Sequence, residues 1–159
     1  MLAELLQKKK RAIGHRWLKQ TLASYRPDAS SFYGKQRNRF ANPVGQTLAE
    51  GAGSVVDALF DGMDPQELCR HLEETIKIRA IQEFTPAEAV SFIFLLKDAI
   101  REELAAENPS AEDLAELYEI DSRIDQVALF TFDIFMKCRE RVYRLALRET
   151  MRTGKVHPL

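Results

Sequence analysis

The sequence predicts an all-α fold, and three observations carry that prediction. Four helix starts are marked by a proline or a capping box, and no segment alternates apolar and polar residues with period two. Glycine and proline are scarce, at 7 and 6 in 159 residues, few for an all-β chain with its many turns. The length suits one domain spanning 1–159, with room for five or six helices around a single core.

A first helix is expected from Ala3 to Ser24, with Leu6, Ile13 and Trp17 on one face. Tyr25-Arg26-Pro27-Asp28 breaks it, because the residue before a proline avoids helical geometry. A short helical turn follows around Ala29 to Tyr33, then a basic loop from Lys35 to Arg39. Asn42-Pro43 supplies the cap and first residue of the next helix, whose buried face is Val44, Leu48, Val55 and Leu59 and whose stop is Gly62. Gly51 and Gly53 inside it each cost about 1 kcal/mol relative to alanine, a cost that close approach of another helix would offset. Asp64-Pro65-Gln66-Glu67 opens a third long helix with Leu68, Leu72, Ile76 and Ala80 inward.

Thr85, Pro86 and Glu88 form a capping box for a helix reaching about Ala106. Phe92 to Leu96 are five large apolar residues in a row, so this helix has no polar face there and belongs at the centre of a bundle or at a subunit interface. Phe92 and Phe94 cannot both face one core, so one of them meets a second surface. After Asn108-Pro109, Ser110 and Asp113 cap a last helix from Ala111 to about Thr153, with Gly154 as its stop. Leu117, Ile120, Ile124, Val127, Thr131, Ile134 and Cys138 recur along it at spacings of three and four, a seam for antiparallel packing in a bundle or for another chain.

Composition excludes several functions. Lys+Arg and Asp+Glu stand at 23 and 24, without the basic excess of a dedicated nucleic-acid binder. No apolar run reaches the roughly 18 residues of a membrane span, and the charged N-terminus is no signal peptide, so the expected compartment is the cytoplasm. Cys69 and Cys138 lack Cys-x-x-Cys spacing and read as reduced thiols within helices. His15 sits on a solvated basic face, His71 points away from Cys69, and His157 is in the tail, so no metal set forms. Ser54, Ser91 and Ser122 have neither a glycine elbow nor an assignable base, and no glycine-rich phosphate loop is present.

Three groups of residues remain as candidates. Phe84, Phe92, Phe130 and Phe135 could line a ligand pocket, though such spacing also builds core. Phe94, Leu117, Ile124 and Ile134 are the candidate interface of a homodimer built on the two longest helices. Arg141, Arg144, Arg148 and Arg152, near the basic end of a helix whose start carries Glu112, Asp113, Glu116 and Glu119, could dock an acidic partner or simply complement the helix dipole. An enzymatic reading would use Arg79 and Glu83, four apart on one helix face, but that spacing points first to a surface ion pair.

Four runs together resemble a known family: Arg16-Trp17-Leu18, Phe40-Ala41-Asn42-Pro43-Val44-Gly45, Ile78 to Pro86, and Ser91 to Lys97. Their order and spacing are similar to the N-terminal domain of RsbRD-type RsbT co-antagonists, over about Leu5 to Arg148. The resemblance implies a sensory input module of bacterial stress signalling, globin-like, without haem, dimeric, and without catalytic residues. The partner it implies is a kinase, an anti-sigma protein or a stressosome component. Absence of haem is expected on the residues too, since Ile78 to Glu107 contains neither His nor Cys as a proximal ligand. The sequence ends at Leu159 without the output domain of that architecture, so phospho-relay by this chain itself is not expected. The resulting expectation is a non-enzymatic regulatory domain needing no cofactor, with a sensor of an apolar molecule as the alternative.

Overall fold

A computed structural model describes residues 1–24, 43–82 and 84–154, without the side chains of residues 43, 44 and 46. The expected turn at Ala29 to Tyr33, the loop at Lys35 to Arg39, the Asn42 cap, the inward place of Val44, and Glu83 and His157 fall outside these. The described residues form helices and no strand: α1 (Leu2–Leu22), α2 (Pro43–Phe60), α3 (Pro65–Leu68), a 3₁₀ turn (Cys69–Leu72), α4 (Glu73–Ile81), α5 (Pro86–Ala105) and α6 (Ala111–Thr153).

The long helices close into a ring in the order α2, α1, α5, α6, α4 and back to α2, each packed on the next. Leu2, Leu6, Ile13, Trp17 and Thr21 recur at helical spacing on α1 and are its buried face. Ion pairs from Lys8 to Glu107, Lys9 to Glu107 and Arg16 to Glu103, at 3.3, 3.1 and 2.7 Å, set α1 antiparallel to α5. Arg16, on the face expected to be simply solvated, also binds Glu102 at 2.8 Å.

The expected third long helix is interrupted. Its four inward residues, Leu68, Leu72, Ile76 and Ala80, are all buried, but the chain tightens to 3₁₀ geometry between Cys69 and Leu72. Three residues per turn bring Cys69 and Leu72 onto the same inner side, where both are buried. Gly51 explains how close α2 comes to this turn: a Cβ there would lie 3.2 Å from the His71 carbonyl oxygen and 3.3 Å from Thr75 Oγ1. Gly53 departs from the expectation, because a Cβ there would meet nothing within 4 Å.

Helix ends follow the capping residues. Asp64 accepts from the Gln66 and Glu67 amides, and Ser110 with Asp113 forms a complete capping box. Thr85 accepts from the Glu88 amide at 3.2 Å, but the Glu88 carboxylate takes the Thr85 hydroxyl at 2.9 Å, so that box is only half made. Arg123 of α6 donates to the Leu59 carbonyl at 2.7 Å and to that of Met63, tying off the C-terminus of α2. Gly154 ends α6 at φ +72°, a left-handed value that favours glycine.

Candidate functional site

The break between α4 and α5 is held by two arginines and a tryptophan. Gln82 turns extended and stops α4. Arg139, reaching from α6, donates to the carbonyls of Gln82 and Phe84 at 3.1 and 3.0 Å, with its guanidinium 4.9 Å from the Phe135 ring centre. Arg79 is fully buried; its guanidinium lies 4.7 Å from the Phe84 ring and 4.5 Å from Phe92, and it donates to the Glu88 carbonyl and to Ser24 Oγ at 3.2 and 3.3 Å. Trp17 stacks on Phe92 at 6.1 Å and donates its indole N–H to the Phe92 carbonyl at 2.6 Å. Aromatic faces and backbone carbonyls thus surround these cations while α1, α4, α5 and α6 are pinned together.

Two sequence expectations meet at this joint. Arg79 is buried rather than on the surface and α4 ends at Ile81, while Glu83 lies outside the described residues. Among the four candidate phenylalanines, Phe92 and Phe135 are buried, and Phe84 and Phe130 are partly buried against the same core. The cavity bordered by Trp17, Leu72, Thr75 and Phe92 measures about 10 Å³, the room of a single water. These side chains act here as packing.

A second arrangement lies on the outside of α6. Leu114, Tyr118, Leu129, Phe132, Met136, Tyr143, Leu147 and Met151 are all exposed, each at least 40%. With Ser122, Asp125 and Glu140, also exposed, they recur every three or four residues along the whole helix. The ion pairs of Lys97 with Asp125 and of Arg101 with Asp121 fix α5 antiparallel to α6. By that register Phe94, 45% exposed, lies level with Ala128 and Leu129. Phe92 in and Phe94 out is the division that the sequence required.

The candidate interface residues therefore divide. Leu117 and Ile124 are buried in the chain's own core and Ile134 is partly buried against it, so their seam packs inward. Phe94 alone of the four faces outward. The strip that sequence reasoning missed is a second series at the same spacing, offset from the first. Arg141, Arg144, Arg148 and Arg152 are exposed beyond the core, with Arg144 paired to Glu140 and Arg152 to Glu149, both at 2.8 Å.

Chemistry is sparse around both arrangements. Burial pushes the Cys69 thiol up to about 11, with Sγ 3.4 Å from the Val127 carbonyl, an unreactive setting. No group of His, Cys, Asp or Glu suited to a metal ion occurs among the described residues. None of the described helices is long and apolar enough to cross a membrane.

The family model for the RsbT co-antagonist protein rsbRD N-terminal domain matches residues 11–150. The chain belongs to this family. No curated protein and no solved structure matches it. Three of the four sequence runs that carry the RsbRD resemblance meet at the arginine joint: Trp17 from the first, Arg79 and Phe84 from the third, Phe92 from the fourth. Of the second run, Phe40 to Gly45, residues 40–42 lie outside the described residues.

Proposed function

We propose that this RsbRD-type domain is a non-enzymatic input module of a bacterial stress-response or sigma-factor pathway and acts by protein–protein contact in the cytoplasm. The family assignment supports the pathway. The single observation behind the mode of action is the outward strip of α6, from Leu114 to Met151, which leaves large apolar side chains in water along one face. Its contacts are a second copy of the chain, forming a homodimer, and a signalling partner of the kinase, anti-sigma or stressosome class. Arg141, Arg144, Arg148 and Arg152 beside the strip offer that partner a cationic margin.

Affinity capture from the native host tests this. Wild-type protein is expected to recover a component of one of those classes, and Phe132→Glu/Leu147→Glu is expected to lose it. Identical recovery by both proteins, or turnover of a metabolite by the purified chain, would contradict the proposal.

A further inference from the structure

We propose that the outward strip of α6 pairs with the same strip of a second copy in antiparallel direction, the head of one helix beside the tail of the other. The inference rests on the self-association proposed above and adds direction and register to it.

Charge decides the direction. The head of α6 exposes Glu112, Glu116 and Glu119, and its tail exposes Lys137, Arg141, Arg144, Arg148 and Arg152, with Glu140 and Glu149 paired to Arg144 and Arg152. Parallel pairing would lay arginines along arginines and carboxylates along carboxylates. Antiparallel pairing lays each acidic head along a basic tail and also opposes the helix dipoles.

The strip is self-complementary in one antiparallel register. With the two-fold axis next to Phe132, Leu114 falls opposite Met151 of the second copy, Tyr118 opposite Leu147, Ser122 opposite Tyr143, and Leu129 opposite Met136. Apolar residues then meet apolar residues at both ends and at the centre. Asp125 falls opposite Glu140, and each is already neutralised within its own chain, by Lys97 and by Arg144. Glu119 falls between Arg144 and Arg148 of the second copy, on the flank of the strip. Phe94 lies level with Ala128 and Leu129, near the axis. From Leu114 to Met151 the seam is about 55 Å long at 1.5 Å per residue.

Disulfide trapping in the full chain tests direction and self-association separately. Cys138→Ser removes the half-buried thiol, while Cys69 is buried and its thiol is pushed up to about 11. In that background, chains with Tyr118→Cys are mixed with chains with Leu147→Cys, exchanged and oxidised. The expected result is a cross-linked dimer in the mixture and none from either variant alone; Leu114→Cys with Met151→Cys repeats the test at the ends. Cross-linking of each variant with itself would show a parallel pair and overturn the inference while leaving self-association intact. A light-scattering dimer that cross-links in neither mixture would overturn the register. A wild-type chain that scatters as a monomer would overturn both.

Discussion

The two ends of α6 are equally helical and differ in everything else. Up to Arg139 the helix is one wall of the core, burying Leu117, Ile124, Val127, Ala128, Thr131 and Phe135. From Glu140 to Thr153 no residue is buried, and Tyr143, Leu147 and Met151 stand in water with arginines beside them. The first stretch is held by what it covers, whereas the second hangs from it as a continuation of the same hydrogen-bonded ladder. Helicity alone therefore says little about what a segment does. The outward strip nevertheless runs through both stretches, from Leu114 to Met151.

Substitutions sharpen the contrast. Phe135→Ala or Trp17→Ala should cost about 3–5 kcal/mol of folding stability by urea denaturation, since each empties a fully buried aromatic site. Leu147→Ala should leave the unfolding of dilute protein within about 0.5 kcal/mol of wild type, as exposed positions do. Equal losses at Phe135 and Leu147 would erase the distinction between the two stretches.

The glycines of α2 give a smaller, signed test. Gly53→Ala should stabilise by about 1 kcal/mol, because helix propensity improves and the new methyl meets nothing. Gly51→Ala should fail to gain that amount, because its methyl is forced against the His71 carbonyl. Loss of the capping hydroxyl in Ser110→Ala should cost about 1 kcal/mol and loosen the head of α6 first, as read by amide exchange.

Acid should act on the bundle stretch of the molecule. Lys9 and Lys8 hold the Glu107 carboxyl below its ordinary value, and the Ser110 amide and hydroxyl do the same for Asp113. Near the ordinary carboxylate range the unfolded chain then binds more protons than the folded one, so stability is full above that range and falls as pH drops through it. Ser110→Ala should flatten part of this dependence in pH-resolved melting. An unchanged profile would remove Asp113 from the account.

Much of this was legible in the sequence. The ends of α6 were written in Ser110, Asp113 and Gly154, and the inward faces of α1 and α6 in spacings of three and four. Two features were not. The 3₁₀ turn at Cys69 to Leu72 lies against Gly51, and the local sequence of the turn does not mark that tertiary contact. The burial of Arg79 was hidden because it depends on the packing of Phe84 and Phe92 over its guanidinium and on the Ser24 hydroxyl, 55 residues away in the chain. The outward strip was present at the right spacing, but it runs beside a core seam of the same period. Only burial separates the two.

The central claim is that the face without core contacts exists to be covered. Light scattering of the wild-type chain beside Leu129→Glu/Leu147→Glu at micromolar concentration tests it most directly. The account predicts twice the chain mass of 18.2 kDa for the wild type and the single mass for the variant, with unchanged helical circular dichroism. A wild-type protein at the single mass, or a variant still at twice that mass, would contradict it.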